Sequence, residues 1–297
     1  MQVEELQRWE LRRGVVALAL SPHGAFAASA ESDYTIRVEN LSRGDAAVCL
    51  MMRLDGNLRY LPPVYATAIR LDLGLAVTGH DDAMARVWDL NTGEMVRALQ
   101  GHAGTVNAVA ISPNGRVLVT GSNDKTTRVW DLGRGEFVRV LVGHTAYVKA
   151  VAISPNGIVA LTGAGDRTAS VWDLRTGERV RDLGQHPQTV YAVAIAPDGK
   201  TAVTGSETAR LWNLSTGEML RVLNGHSDRV IAVAFFSDSI ALTGSYDETV
   251  RLWDCRNGQA VGVLEEHRGG AGAVCINGRL LLTGSASGRV RLWRMTP

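Results

Sequence analysis

His226, Ser245 and Asp247 are the residue types of a general base, a nucleophile and an orienting acid. An imidazole beside a hydroxyl can take its proton, and a carboxylate behind the ring fixes the tautomer that does so. The same trio stands earlier as His102, Ser122 and Asp124, and in both copies a tryptophan follows six residues after the Asp, at Trp130 and Trp253. A chain does not ordinarily repeat an active site along its length, whereas it does repeat scaffolding. The recurrence therefore points away from catalysis. No G-x-S-x-G, H-E-x-x-H, Walker loop or G-x-G-x-x-G is present, so no enzyme class and no cofactor is indicated. His80-Asp81-Asp82 has metal-binding residue types, but Asp82 falls in a repeated turn and adjacent turn residues rarely converge on one ion. No metal site is expected. Cys49, Cys255 and Cys275 are odd in number and far apart, which writes neither a disulfide framework nor a metal knuckle. Beside strands, each reads as a small inert hydrophobe.

The elements that position these residues come from an internal repeat. Six of seven tryptophans fall at Trp88, Trp130, Trp172, Trp212, Trp253 and Trp293, at spacings of 42, 42, 40, 41 and 40. Around them recur ARVWDLNTGE, TRVWDLGRGE, ASVWDLRTGE, ARLWNLSTGE and VRLWDCRNGQ, and upstream of each lies a line such as VNAVAISPNGRVLVTGSNDKTT. A degenerate copy, Ile36-Arg37-Val38-Glu39-Asn40-Leu41, precedes Trp88 and makes seven units. Each unit reads as four short strands. In one of them Val106–Ile111, Val117–Thr120, Thr127–Leu132 and Phe137–Leu141 are separated by turn formers such as Ser112-Pro113-Asn114-Gly115. Strands apolar on both faces require each small sheet to be covered on both sides, which stacking sheets around an axis achieves.

The phased tryptophans, the Gly-His pairs (Gly101-His102, Gly143-His144, Gly225-His226) and the Trp-Asp pairs (Trp88-Asp89, Trp130-Asp131, Trp172-Asp173, Trp253-Asp254) resemble the WD-repeat family of β-propellers over essentially the whole chain. The resemblance implies an all-β, seven-bladed propeller of four-stranded antiparallel blades that serves as a platform for other proteins without catalysis. It also implies that His102, Ser122, Asp124 and Trp130, and likewise His226, Ser245, Asp247 and Trp253, are hydrogen-bonded structural tetrads. In each, His lies before the inner strand, Ser on the second strand, Asp in the turn and Trp on the third. Departures weaken single blades: Ala164 in place of Ser, a turn at Ser206-Glu207-Thr208 that is two residues short, Ser287 in place of Asp, and a first blade with neither His nor Trp.

Only Arg294-Met295-Thr296-Pro297 follow Trp293, too few for a fourth strand, while Glu4–Trp9 stands where a fourth strand precedes each later inner strand. The N-terminal segment is expected to complete the last blade and remove an open sheet edge. This gives one domain over 1–297: 1–12 as the outer strand of blade 7, then 13–55, 56–101, 102–143, 144–185, 186–225 and 226–266 as blades 1 to 6, and 267–297 as the rest of blade 7.

Function is expected where the repeat breaks. The loops before the inner strands and between the second and third strands share one face in this geometry, and their variable positions include Tyr65, Asn107, Tyr147, Lys149, Tyr191, Arg229 and Tyr246. All six tyrosines (also Tyr34 and Tyr60) fall in such loops or strand starts, and tyrosine and arginine are favoured at binding hot spots. Glu39 to Trp88 spans 49 residues, an excess lying around Asp55–Pro63, where Leu58, Tyr60 and Leu61 project from the same face. The mixture suits a peptide with an acidic or phosphorylated residue.

Charge and composition set the remaining bounds. Apolar residues make 45% and charged residues 21%, a folded rather than disordered balance. Thirty-one basic against 30 acidic residues leave +1, which argues against nucleic acid as a partner. Only Lys125, Lys149 and Lys200 are lysines. No apolar run reaches membrane-span length, and acids stand where a signal peptide carries positive charge. The expectation is a protein-interaction scaffold or adaptor, monomeric or part of a hetero-complex, in the cytoplasm or nucleus. The alternative is a structural subunit presenting its side surfaces; an enzyme or a nucleic-acid binder stands behind both.

Overall fold

The computed structural model describes residues 2–11, 14–20, 26–31, 35–40, 49–51, 62–265 and 267–296. Every regular element among them is a β-strand, so none is a helix long and apolar enough to cross a membrane. The strands form seven four-stranded antiparallel sheets, the blades of a β-propeller. One blade shows the plan: Val106–Ile111, Val117–Ser122, Thr127–Asp131 and Glu136–Leu141 pair in chain order from the inside outward. Its turns follow from local chemistry. Ser112 Oγ donates to Asn114 Oδ1 at 2.7 Å, the same oxygen accepts the Arg116 N–H, and Gly115 supplies a φ of 70° that an L side chain resists. Ser154, Asn156 and Gly157 repeat this turn one blade later.

The strand period explains why both faces are apolar. Leu118 pairs with Trp130, and this layer packs on the preceding blade against Val77, Val87 and Leu99. Val119 pairs with Val129, and that layer packs on the following blade against Ala160 and Trp172. Each tryptophan is thus a wedge between two blades, and a ring burying roughly 200 Å² contributes on the order of 5 kcal/mol before the entropy of ordering it. Close approach needs a missing side chain. A Cβ on Gly121 would stand 2.6 Å from Val148 Cγ1 of the next blade. The same relation joins the last blade to the first, where a Cβ on Gly284 would stand 2.7 Å from Val15 Cγ1.

The sheet of Ala271–Asn277, Leu280–Ser285 and Arg289–Thr296 takes its fourth strand from Gln2–Glu10, antiparallel to Arg289–Thr296 with Gln2 opposite Thr296 and Glu10 opposite Arg289. Ion pairs decorate that seam: Glu10 with Arg289 at 3.1 Å, and Glu5 with Arg291. In the first blade, Val15–Leu20, Phe26–Glu31, Thr35–Asn40 and Cys49–Met51 pair in order.

Candidate interaction face and its histidine braces

His102 lies between two blade strands and is fully engaged. Its Nδ1 stands 2.7 Å from Asp124 Oδ2, its Nε2 stands 2.8 Å from Thr120 Oγ1, and Trp130 Nε1 lies 2.9 Å from the same Thr120 oxygen. An indole N–H only donates, so Thr120 accepts it and donates its own proton to Nε2, leaving Nδ1–H for the carboxylate. Burial holds the His102 pKa below its usual value, partly offset by Asp124. Burial alone would raise Asp124, but hydrogen bonds from Thr126, the Ala103 N–H and His102 outweigh it and set the pKa at about 2. His226, Thr243, Asp247 and Trp253 form the same chain, as do His144, Thr162, Asp166 and Trp172.

Ser122 and Ser245, expected as the second-strand members of the tetrads, do not stand between His and Trp. Ser122 Oγ donates to the Gly104 carbonyl at 2.7 Å and accepts the Asp124 N–H, so it holds the loop rather than the imidazole. Ser245 does the same with Asp228 and Asp247. The reason is reach along the strand. Trp130 sits opposite Leu118, and its indole meets the diagonal neighbour Thr120; Ser122 lies one further step toward the turn. The blade with Ala164 therefore keeps its complete brace. Neither serine faces an imidazole; the hydroxyl that does, Thr120, is fully buried and already accepts the Trp130 N–H.

Three blades build the brace differently. His80 stands on the strand itself, with Nε2 2.7 Å from Thr78 Oγ1 and Nδ1 2.9 Å from the Pro62 carbonyl. His186 and His267 reach Thr204 and Thr283, each at 2.7 Å, but their buried Nδ1 atoms have no partner. Those are the blades that lack the turn Asp. Burial pushes the imidazoles of His80, His186 and His267 down to about 4. Among the described residues no group of three His, Cys, Asp or Glu could hold a metal ion. Burial also pushes the Cys255 and Cys275 thiols up to about 11, the inert form.

The variable positions owe their placement to a repeated defect. The register of the inner strand shifts between Val15 and Ala17, Val64 and Ala66, Val106 and Ala108, Val148 and Ala150, Val230 and Ala232, and Ala271 and Ala273. Each shift is a bulge that drops one residue from the ladder and re-aims its side chain. The residues so released are Val16, Tyr65, Asn107, Lys149, Ile231 and Gly272; Tyr191 stands just ahead of its strand's first ladder pair. Val16, Tyr65, Asn107, Tyr191, Ile231 and Gly272 line one central opening.

Tyr65, Asn107, Tyr147, Lys149 and Tyr191 line one open concavity of about 670 Å³, together with Asn123, Lys125 and Thr145. Tyr65 and Tyr147 are 47% and 40% exposed. Tyr147 Oη lies 3.1 Å from Thr189 Oγ1. The Arg229 guanidinium stands 5.9 Å over the Tyr191 ring, and the Tyr246 N–H donates to the Arg229 carbonyl, which joins two further variable loops to the rim. Asn107 is the exception. At 8% exposure it is buried, its Nδ2 donating to Asn123 Oδ1 and the Val148 carbonyl, so it braces the floor rather than offering a free contact. Residues 56–61, with Leu58, Tyr60 and Leu61, lie outside the described residues, as does Tyr34. Lys125 is the lining residue the repeat pattern passes over, because it follows the turn Asp and takes a φ of 70° there. Its signal was scarcity: two of the chain's three lysines meet in this concavity.

The repeats also match a described family. The WD domain, G-beta repeat, matches residues 93–131, 135–173, 177–213, 217–254 and 258–294. The chain belongs to the WD40 family. Among curated relatives, guanine nucleotide-binding protein subunit beta-1 of Caenorhabditis briggsae is 29% identical over 102 residues, 34% of this chain and 29% of the relative. Coatomer subunit beta'-1 of Arabidopsis thaliana is 38% identical over 87 residues, 29% of this chain and 9% of the relative. The chain thus matches less than a third of either relative's length.

Proposed function

We propose that this WD40 chain is a non-catalytic interaction scaffold that binds a protein or peptide partner on the loop face around its central channel. The observation that carries this reading is the convergence of Tyr65, Tyr147, Lys149 and Tyr191, drawn from three separate blades, on one open concavity. Rigid aromatic rings bury large area at little entropic cost, and a scaffold fixed by buried braces can hold them without rearrangement. The rim adds Arg229 and Tyr246. Both relatives are named as subunits, which supports work alongside other chains. Unpaired Cys255 and Cys275 suit a reducing compartment, the cytoplasm in this reading.

The proposed scaffold is one closed domain of seven blades, with 1–12 completing blade 7, then 13–55, 56–101, 102–143, 144–185, 186–225 and 226–266 as blades 1 to 6, and 267–297 as the remainder. The pairing of Gln2–Glu10 with Arg289–Thr296 and the seating of Val15 on Gly284 support closure at that seam.

One observation favours a second reading, a structural subunit using its sides. The outer strand Glu136–Leu141 and the residue after it expose Phe137, Val138, Val140 and Val142, the last at 68%. Affinity capture with three immobilised proteins separates the readings: the intact chain, Tyr147→Ala with Tyr191→Ala, and Val138→Lys with Val140→Lys. Loss of the dominant partner by at least roughly 2 kcal/mol in the tyrosine variant alone is the expected result. Loss in the valine variant alone moves the interaction to the side of the propeller.

A further inference from the structure

The loop-face reading leaves the ligand's chemistry open, and the concavity's charges narrow it. Lys149 is released into the mouth by the bulge after Val148, and its side chain is half-buried. Burial lowers its pKa, and among the described residues no carboxylate acts on it to oppose that. A partly desolvated ammonium with no anion beside it is a standing cost that a ligand can remove. Lys125 is the second cation on the same lining.

Three described acids of this face are already engaged. Asp81 accepts the Thr105 hydroxyl at 2.8 Å, Glu207 accepts the Gln188 amide at 2.6 Å, and Asp124 accepts His102. None of the three lines the concavity. The amides point the same way. Asn107 must present its NH2 to the Val148 carbonyl, which fixes its orientation, so Asn123 meets it with an oxygen and keeps its own NH2 as a donor. Donors and cations thus outnumber acceptors between aromatic walls. A cationic peptide would meet two ammonium groups there without compensation.

We propose, resting on the loop-face reading, that this concavity binds an extended peptide through an acidic side chain seated between Lys149 and Lys125, with Tyr65, Tyr147 and Tyr191 packing the flanking residues. A carboxylate and a phosphoserine share the required chemistry, two or more anionic oxygens accepting charge-assisted hydrogen bonds.

The test selects a phage-displayed random dodecapeptide library on the intact protein, then titrates the dominant enriched peptide, fluorescently tagged, by anisotropy. The expected outcome is enrichment of Asp or Glu beside apolar residues. Affinity should fall at least about tenfold in Lys149→Met, stay within about threefold in Lys149→Arg, and weaken as NaCl rises from 50 to 300 mM. Wild-type melting temperatures in the lysine variants confirm that folding is intact. Replacing the acid by phosphoserine distinguishes the sources: tighter binding assigns a phosphopeptide, equal or weaker binding a carboxylate. Peptides that need Tyr147 and Tyr191 yet carry no acid, or that ignore Lys149→Met, overturn the anionic ligand and leave the face standing. Enrichment of no peptide, or binding unchanged in Tyr147→Ala with Tyr191→Ala, overturns both.

Discussion

His80 reaches Thr78 from two residues along its own strand, with Nε2 2.7 Å from the threonine Oγ1. In the other braces the imidazole arrives from the preceding loop, 16 to 18 residues away in sequence. Two routes to one contact show what the blade holds constant. It is the threonine hydroxyl between indole and imidazole, and Thr78, Thr120, Thr162, Thr204, Thr243 and Thr283 all serve it.

Thr120→Val should therefore cost more than Ser122→Ala. The valine keeps the shape but leaves the Trp130 N–H without its acceptor and His102 Nε2 without its donor, a loss of about 2–4 kcal/mol over the two groups. Ser122→Ala gives up loop bonds that the blade with Ala164 already lacks, at about 1 kcal/mol. Urea denaturation of both variants checks the order, and equal losses would restore serine to the brace.

That order shows where the sequence was legible. Phased tryptophans, turn glycines and doubly apolar strands indicate stacked four-stranded blades, because each is a local signal repeated in register. The bridging hydroxyl was harder to see, since Thr120 and Ser122 have the same strand parity and both recur. The distinguishing sign was that the threonine never varies across the tryptophan-bearing repeats, whereas its neighbour becomes Ala164 and His80. The aim of Tyr65 and Lys149 depends on a bulge in the inner strand of each, and that of Tyr191 on its place just ahead of the first ladder pair. A bulge changes no residue type, so sequence pattern could mark those positions as variable without saying that they face the channel.

Removing residues 2–10 should leave Arg289–Thr296 as an open edge and strip Arg291 of Glu5 and Arg289 of Glu10. Unpaired edges template association. Light scattering should show aggregation on warming at a temperature where the full chain stays clear, with a lower melting temperature. A truncated chain that remains monomeric and melts unchanged contradicts the closing role of that strand.

Acid should unfold the protein earlier than its carboxylates alone would dictate. His80, His186 and His267 are held by burial near 4, whereas an unfolded histidine titrates near 6.5. Between those values the unfolded chain binds protons that the folded one refuses. The stability is full above pH ~6.5 and is lost as pH falls toward 4, at up to about 1.4 kcal/mol per pH unit for each group. The Asp124 contribution persists to lower pH and goes only as pH falls through about 2. Urea midpoints at pH 7.5, 6, 5 and 4.5 test the slope, and a flat profile down to 4.5 would show that these rings take protons in the folded state.

Ser287→Asp should stabilise the last blade, because it supplies the carboxylate that His267 lacks. Ser287 stands two residues after Ser285, as Asp124 stands after Ser122 and Asp247 after Ser245. The turn has the needed form, with Gly288 at φ 91° where Lys125 has φ 70°. His267 Nδ1 is buried without a partner, while Nε2 is already fixed on Thr283. The aspartate gives up the Ser287 bond to Ser285 Oγ, at 2.9 Å, and gains a charge-assisted bond to Nδ1–H. It also places a negative charge near Arg289 and Arg291, both of which now oppose protonation of His267. The expected net gain is about 1–2 kcal/mol at pH 7, a rise of several degrees in melting temperature. The gain should widen toward pH 5, because the new carboxylate raises the folded pKa of His267 toward its unfolded value and removes that ring's share of the acid loss. Ser287→Asn separates the two effects, since its amide oxygen can accept the Nδ1–H without a charge: part of the gain at pH 7 should appear, with little widening at pH 5. Differential scanning calorimetry of the three proteins at both pH values decides the matter. No gain from the aspartate would mean that the orphaned ring carries no penalty for it to remove.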